Sequence, residues 1–261
     1  MYDLQTARDL DAADSLSRFR EQFDLPADVV YLDGNSLGSL PVACRQRLIN
    51  LIDREWGHDL IRSWNSANWI DLPVTVGEKI APLIGAAPGQ VVCADSTSVN
   101  LFKLLASALQ LKPGRSVVLS EARNFPTDLY MGEGLAQLLG EERCELRTVA
   151  REDMESALSP DIAVLMLTHV DFRSGRLHDM QRLTALAHER GALVLWDLAH
   201  SAGVLPLELD AWGVDMAVGC GYKFLNGGPG APAFLYLASH LQAQARQPLS
   251  GWMGHRRAFE L

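Results

Sequence analysis

Between residues 73 and 238, short apolar runs alternate with amphipathic stretches, and this alternation restricts the fold more than any other feature of the sequence. Runs such as IAVLML and ALVLW lack polar alternation, which is typical of strands covered on both faces. The pattern predicts an α/β domain with a mostly parallel seven-stranded sheet and helices on both faces. The predicted strands are 91–94, 116–120, 144–149, 162–168, 192–197, 214–218 and 233–237, and the predicted helices are 74–85, 98–111, 126–139, 152–158 and 179–190.

The first 70 residues precede this alternation, and we predict that 1–70 form an N-terminal helical segment and arm, with the large α/β domain at 71–261. Apolar spacing predicts helices at 4–22 and 42–64, the second opened by Pro41, and a short strand at 29–32. Trp64 and Trp69 lie in the segment SWNSANWIDLP. Either they anchor a core or they contact a substrate or partner, and the sequence leaves both interpretations open.

Charge and composition argue against several classes of partner. A formal net charge of -9 disfavours nucleic acid, because phosphate binding needs a surplus of Lys and Arg. No apolar run approaches the ~20 residues that span a bilayer, and the acidic N-terminus is unlike a secretory signal, so no membrane partner is expected. Cys44, Cys93, Cys144 and Cys220 show no metal-like spacing, which predicts reduced thiols in a cytoplasmic protein and no metal site.

Polar side chains follow the predicted strands at their carboxyl ends, where parallel sheets bind ligands. Lys223 lies between a buried strand and a glycine-rich loop, and an amine in a dry pocket has a lowered pKa and can form a Schiff base. Asp197 ends the run LVLWD and needs a cationic partner if it is buried. His200 could hold that carboxylate in a structural pair or reach a phosphate. A zinc site is the weaker interpretation, because Asp197 and His200 supply only two ligands.

The remaining candidates complete a recognisable set. Thr97 and Ser98 begin a predicted helix, which either binds a phosphate through its N–H groups or is simply capped. Phe125 offers a flat apolar face, and Asp128 follows one helical turn later. Together these residues are what pyridoxal 5'-phosphate requires: an amine for attachment, an acid for the pyridine nitrogen, a stacking ring and a phosphate site.

The order of these residues resembles that of the aspartate-aminotransferase-like superfamily (fold type I). Asp197-x-x-His200 followed by Lys223 points to its class V branch, which includes cysteine desulfurases. Within that branch, YLDGNSLGSLP (31–41), NFPTD (124–128) and GYKFLNGGPGAP (221–232) resemble the kynureninase family. Similar segments are STSVN (96–100), LTHVDFRSGRLHDM (167–180) and GWMGH (251–255), so the resemblance covers nearly the whole chain.

The resemblance implies hydrolysis of L-kynurenine to anthranilate and L-alanine, in tryptophan catabolism and NAD biosynthesis, and leaves 3-hydroxykynurenine open as a substrate. It implies a homodimer in which Trp252 reaches the cofactor phosphate of the neighbouring subunit. Lys223 and Tyr222 would be catalytic, with Tyr222 a general acid-base. The implied cofactor-binding residues are Thr97, Ser98, Phe125, Asp128, Thr168, Asp197, His200, Tyr222, Lys223 and Trp252.

Members of the resembled family are longer, so we expect this sequence to lack their C-terminal small domain and its carboxylate-binding Arg. Arg256 and Arg257 offer no evident replacement. Two alternatives stay open: a class V cysteine desulfurase or lyase, and a non-catalytic domain of the same fold. Phe125, where desulfurases have His, disfavours the first, and the combination of Lys223 with Asp197 disfavours the second.

Overall fold

The computed structural model describes residues 3–254, and helices and strands alternate through most of that range. The strands are β1 (Phe23–Asp24), β2 (Leu40–Pro41), β3 (Val91–Cys93), β4 (Val117–Glu121), β5 (Glu145–Val149), β6 (Ile162–Thr168), β7 (Leu193–Asp197), β8 (Met216–Cys220) and β9 (Ala233–Leu237). The α-helices are α1 (Leu4–Ala13), α2 (Val42–Asn50), α3 (Ser63–Ser66), α4 (Leu72–Ile80), α5 (Thr97–Leu111), α6 (Pro126–Leu139), α7 (Met180–Glu189) and α8 (Ser239–Gln242).

Seven of these strands form one sheet in the order β3-β9-β8-β7-β6-β4-β5, beside a small antiparallel pair of β1 and β2. Neighbours from β8 to β5 pair in parallel, and β9 pairs antiparallel with both β8 and β3. All seven strands predicted from the sequence are present, and the mostly parallel α/β fold is confirmed.

The central strands are buried on both faces, as their continuous apolar runs predict. Every residue of β6, β7 and β8 is buried. Because successive side chains point to opposite faces, Val164 and Met166 belong to one core cluster, while Leu165 and Leu167 belong to the other. The first cluster includes buried residues of α5 and α6, and the second those of α4 and α7. Full burial of one such side chain contributes roughly 1.5–3 kcal/mol.

Three predictions from apolar spacing are wrong. The segment 152–158 forms only a 3₁₀ turn at Arg151–Asp153, because Met154 and Leu158 reach the core from turns rather than from a helix. The helix predicted at 4–22 divides into α1 and a 3₁₀ helix (Ser17–Gln22), since the Asp14 carboxylate accepts from the N–H of Leu16 and competes with the helical ladder. No strand forms at 29–32.

The segment 42–64 is also not one helix. After α2 the chain forms a π-helical turn (Leu51–Trp56), and Leu60 adopts a left-handed backbone conformation with φ of 52°. The apolar face formed by Leu48, Ile52 and Trp56 is exposed instead of packing on the sheet. The separation of 1–70 from 71–261 as domains stays a prediction. Within residues 3–254, no helix combines the length and apolar character needed to cross a bilayer.

The end of α7 is joined to the start of β8 by a buried carboxylate. Asp215 accepts from the N–H of Val194 at 2.9 Å, and His188 Nε2 lies 2.7 Å from its Oδ2. His240 Nε2 lies 3.6 Å from the other carboxylate oxygen. The hydrogen bond with Asp215 raises the pKa of His188, against burial and the charge of Lys112.

We expect stability to depend on pH through His188. A raised pKa means that the stabilisation is complete below the ordinary histidine pKa, about 6.5, and is lost as pH rises through the folded value. His188→Gln keeps a hydrogen-bond donor but cannot become charged. Urea denaturation between pH 5.5 and 9 measures the free energy of unfolding of both proteins. The excess of wild type over the variant should be largest at acidic pH and should fall as pH rises. A difference that stays constant with pH would contradict the assignment.

Candidate active site

A cavity of about 510 Å³ opens beside the carboxyl ends of β7 and β8 and the first turns of α5 and α6. This volume is within the range of small-molecule sites. Two of the cofactor-site residues predicted from the sequence do not line this cavity. Thr168 contacts the lining residue Asp128 through a hydrogen bond, and Trp252 lies away from the cavity. The other predicted residues line the cavity: Thr97, Ser98, Phe125, Asp128, Asp197, His200, Tyr222 and Lys223.

Lys223 is buried at the start of the loop that follows β8. Its Nζ lies 2.7 Å from His200 Nε2, and 5.8 Å from the ring centroid of Phe125. Burial and the neighbouring charge of Lys223 lower the pKa of His200, so this imidazole can stay neutral and accept from the ammonium group. His200 therefore contacts the lysine, and the Asp197–His200 pair considered from the sequence is not formed.

The N-terminal segment fixes the loop that carries Lys223. The N–H of Gly38 donates to the carbonyl of Tyr222 at 2.8 Å. A Cβ atom on Gly38 would lie 2.2 Å from the carbonyl oxygen of Lys223, so only glycine allows this approach. The motif at 31–41 thus supports, through its backbone, the loop that lines the cavity.

Two buried carboxyl groups lie at the end of β7. Asp197 Oδ1 accepts from the N–H of Ala199 at 2.7 Å, and Asp128 Oδ2 accepts from Thr168 Oγ1 at 3.1 Å. The two carboxyl groups are close enough for each to influence the ionisation of the other. Burial raises the pKa of both, and the charge of Asp197 raises the pKa of Asp128 further. Raised pKa values favour a proton shared within the pair, and a cationic N–H donor can take the place of that proton.

The position of Asp128 and Phe125 depends on Asn124, which sequence reasoning placed at a strand end without a role. Its Oδ1 accepts from the N–H of Thr168 at 3.0 Å, and its Nδ2 donates to Ser120 Oγ at 3.1 Å. Asn124 thereby joins the end of β4 to the end of β6. The only sequence signal for this role was an amide directly before the Phe125 ring.

The first turn of α5 forms another wall. Ser96 is the N-cap, and its Oγ accepts from the N–H of Val99 at 3.3 Å. Thr97 and Ser98 follow it, and N–H groups in the first turn of a helix have no intrahelical acceptor. Together with the helix dipole they suit a phosphate.

Tyr222 and Cys220 form the wall beside the lysine. Burial raises the pKa of Tyr222, and the neighbouring Cys220 raises it further. Cys220 Sγ lies 4.0 Å from the carbonyl oxygen of Ala199. Sequence reasoning did not single out Cys220 as part of the site, because its spacing carries no motif.

The predicted tryptophans lie away from the cavity. Trp252 is half exposed and packs on Trp64, with ring centroids 5.8 Å apart and planes 29° apart. Trp69 donates from Nε1 to Glu55 at 3.0 Å, which makes it a structural anchor. The segment GWMGH is described only to Gly254, and His255, Arg256 and Arg257 lie outside the described residues.

Comparison with solved structures supports the fold. A C-DES mutant with glycine covalently linked to its PLP cofactor superposes with a TM-score of 0.78 at 17% identity, over 89% of this chain and 63% of that one. A cysteine desulfurase from Thermococcus onnurineus NA1 superposes with a TM-score of 0.74 at 20% identity, over 90% of this chain and 60% of that one. At these identities the likeness concerns the fold alone.

Sequence comparison gives the family. Kynureninases from Pseudomonas fluorescens and Deinococcus radiodurans are each 53% identical, over 97% and 99% of this chain. The chain spans 62% and 64% of the length of these two relatives. The family model described as aminotransferase class-V matches residues 66–256. Since this match covers most of the sequence, the chain belongs to the aminotransferase class-V family.

Proposed function

We propose that the intact protein binds pyridoxal 5'-phosphate and hydrolyses an aryl β-keto amino acid, L-kynurenine first, to anthranilate and L-alanine. This reaction would serve tryptophan catabolism and NAD biosynthesis. The observation that carries the proposal is the meeting of the Lys223 amine, the Asp197–Asp128 pair and the Phe125 ring in one cavity. Relatives that are 51–53% identical and named kynureninase support the choice of substrate.

The residues present fit this cofactor. Lys223 would attach it covalently, Asp197 would hold its pyridine nitrogen, and the face of Phe125 would stack on its ring. Thr168 would lie at the ring edge with Asp128. Thr97, Ser98, His200 and Tyr222 are the proposed phosphate neighbours, and in the proposed dimer Trp252 would reach the cofactor phosphate of the neighbouring subunit. When bound, pyridoxal phosphate supplies an electron sink that stabilises negative charge at the substrate Cα.

The buried acids would keep that sink effective. A carboxylate beside a pyridine nitrogen favours its protonated form, and the low polarity around Asp197 strengthens the attraction. Asp128 donates or accepts within the pair as the charge requires, while Thr168 Oγ1 holds its outer oxygen. Asp128 is thus proposed to exchange a proton with Asp197 when the cofactor binds.

Tyr222 is the proposed group that moves protons at the substrate. Breaking the Cβ–Cγ bond of the substrate requires water to add to the γ-carbonyl carbon and a proton to move between oxygen and carbon atoms. A raised pKa keeps the phenol protonated and able to donate, and its ring lies beside the lysine, with Nζ 5.9 Å from the ring centroid. His200 would orient the lysine amine through their 2.7 Å contact.

The desulfurase-like alternative needs a thiolate nucleophile. Cys220 is the cysteine that lines the cavity among the described residues, but burial raises its pKa. A protonated, buried thiol is a poor nucleophile. With Phe125 at the stacking position, the cavity favours hydrolysis of a ketone over transfer of sulfur.

Assembly and location are further parts of this proposal. We propose a homodimer, supported by the exposed Trp252, which packs on the partly buried Trp64, and by the exposed apolar side chains of α2 and the turn after it. The four described cysteines are free thiols, which supports a cytoplasmic location. Sedimentation of the intact protein tests the dimer, and a fully active monomer would contradict it.

Lys223 should carry the cofactor. Borohydride reduction of the cofactor-loaded intact protein fixes a lysine attachment, and peptide mapping should then find the label on the peptide that contains Lys223. Lys103 provides an internal comparison, because it is ion-paired with Asp95 beside the same cavity. Label on Lys103 or Lys112 instead would refute the assignment.

Replacing Asp128 by Asn should change how stability depends on pH. The pKa of Asp128 is raised, so its favourable contribution is complete below about pH 4 and is lost as pH rises through the folded value. Asn mimics the protonated acid. Denaturation of cofactor-free protein should show the variant gaining stability relative to wild type from pH 4 to 8. Asp11→Asn, on the exposed surface of α1, is the matched control, and equal gains in both variants would count against the buried pair.

The substrate assignment predicts specific products. Intact protein with cofactor should release anthranilate and alanine from L-kynurenine, and no sulfide from L-cysteine. Tyr222→Phe should keep the attached cofactor but slow anthranilate release by roughly tenfold or more, the order of effect of losing a general acid-base group. Tyr130→Phe removes a phenol that is exposed on α6 and should leave the rate unchanged. Sulfide without anthranilate would overturn the proposal in favour of the desulfurase-like alternative.

A further inference from the structure

A second cavity, of about 470 Å³, lies at the carboxyl ends of β4, β5 and β6. Three segments form it: the residues after β4, the residues after β5, and the loop 169–178 after β6. It shares no lining residue with the candidate active site. Four arginines line it, although the chain as a whole has a net charge of -9: Arg123, Arg151, Arg173 and Arg176.

None of the four arginines forms an ion pair within residues 3–254, although the charge of Arg173 helps to lower the pKa of the nearby Asp171. Within residues 3–254, the guanidinium groups of Arg123 and Arg176 make no hydrogen bond or ion pair. Arg173 Cζ lies over the ring of Phe172, 4.8 Å from its centroid, and Arg151 donates to the carbonyl of Leu177 at 2.8 Å. Neither contact removes positive charge.

Three carboxylates also line the cavity, and two of them are committed elsewhere. Glu121 lies 2.9 Å from Nε2 of the buried His178. Asp171 accepts from the N–H and the hydroxyl of Ser174, both at 2.6 Å, and so closes its own turn. Glu152 is exposed and, across the described chain, forms no ion pair with any of the four arginines. The free donors of the cavity are therefore guanidinium N–H groups.

The topology of the sheet favours a ligand at this place. From β4 the chain forms β5 on one side and returns to form β6 on the other, so the strand order reverses beside β4. Crevices at such reversals, outside the carboxyl ends of the strands, are the usual ligand sites of open α/β sheets. Phe172 lies in the loop after β6 and contacts Phe125 of the first cavity edge to face, with ring centroids 5.2 Å apart.

We propose that this second cavity binds a small oxyanion that carries at least two negative charges, either a polycarboxylate or a phosphate compound. Guanidinium groups bind both through paired hydrogen bonds. Arg123 and Arg176, which approach from different segments, hold separate anionic groups of the ligand. The site is distinct from the phosphate site proposed at α5 and does not depend on the proposed reaction.

Calorimetry on the intact, cofactor-loaded protein tests this site. The bound cofactor occupies its own phosphate site, so pyrophosphate and citrate serve as probes of the second cavity, with acetate at equal ionic strength as the reference. We expect saturable binding of one probe per chain, and the tighter probe tells whether phosphate or carboxylate chemistry is preferred. Arg123→Gln and Arg176→Gln should each weaken binding at least tenfold.

Arg143→Gln is the matched control, because it removes the same charge before β5, at the opposite end of that strand from the cavity. It should leave the affinity for either probe within twofold of wild type. Heats indistinguishable from those of acetate would overturn the proposal. So would equal weakening by all three substitutions, since that result would mean only general attraction of anions. The absorption band of the bound cofactor, unchanged in the variants, shows that each is folded.

Discussion

The burial of three ionisable side chains at one end of the sheet governs the rest of this structure. Lys223, Asp197 and Asp128 are each at least nine-tenths buried. Isolated charges in such a place would cost several kcal/mol each. They are tolerated because each has a polar partner: His200 for the lysine, the N–H of Ala199 for Asp197 and the Thr168 hydroxyl for Asp128. These contacts fix the amine and the two acids in place at one edge of the sheet.

The order of the strands places these buried side chains and their polar partners, which come from different parts of the chain, at one edge of the sheet. Thr168, Asp197 and Lys223 follow or end adjacent parallel strands, which brings residues far apart in sequence to one edge. Asn124 joins two of those strand ends, and Gly38 joins the N-terminal segment to the loop of Lys223. A substitution at either position would act on the site without touching a ligand. Through Gly38, the N-terminal segment supports the loop that carries Lys223.

Sequence reasoning found the elements whose signal is local and missed those whose geometry is set by tertiary contacts. The seven strands were readable because continuous apolar runs such as β6 can only be buried. Most residues that line the first cavity were then predicted correctly, because they follow the carboxyl ends of those strands. The division of 42–64 into short helices could not be predicted from the sequence. Its apolar spacing is typical of one long helix packed against a core, but in the structure that apolar face is exposed. Cys220 and the pairing of Asp128 with Asp197 were also missed, because contacts across the sheet leave no spacing in the sequence.

The two cavities can be understood as one consequence of strand order. Parallel strands place all their following loops at one edge, and the reversal beside β4 divides that edge into two groups of loops. The segments after β7 and β8 line the first cavity, and those after β5 and β6 line the second. The segment after β4 contributes Asp128 to the first cavity and Arg123 to the second. Phe125 and Phe172 fill the boundary, and the Asn124 and Glu121–His178 contacts hold the segments that bear these rings. Arg173 in turn rests on the Phe172 ring, so side-chain contacts are continuous from the arginines of the second cavity to the ring proposed to stack on the cofactor.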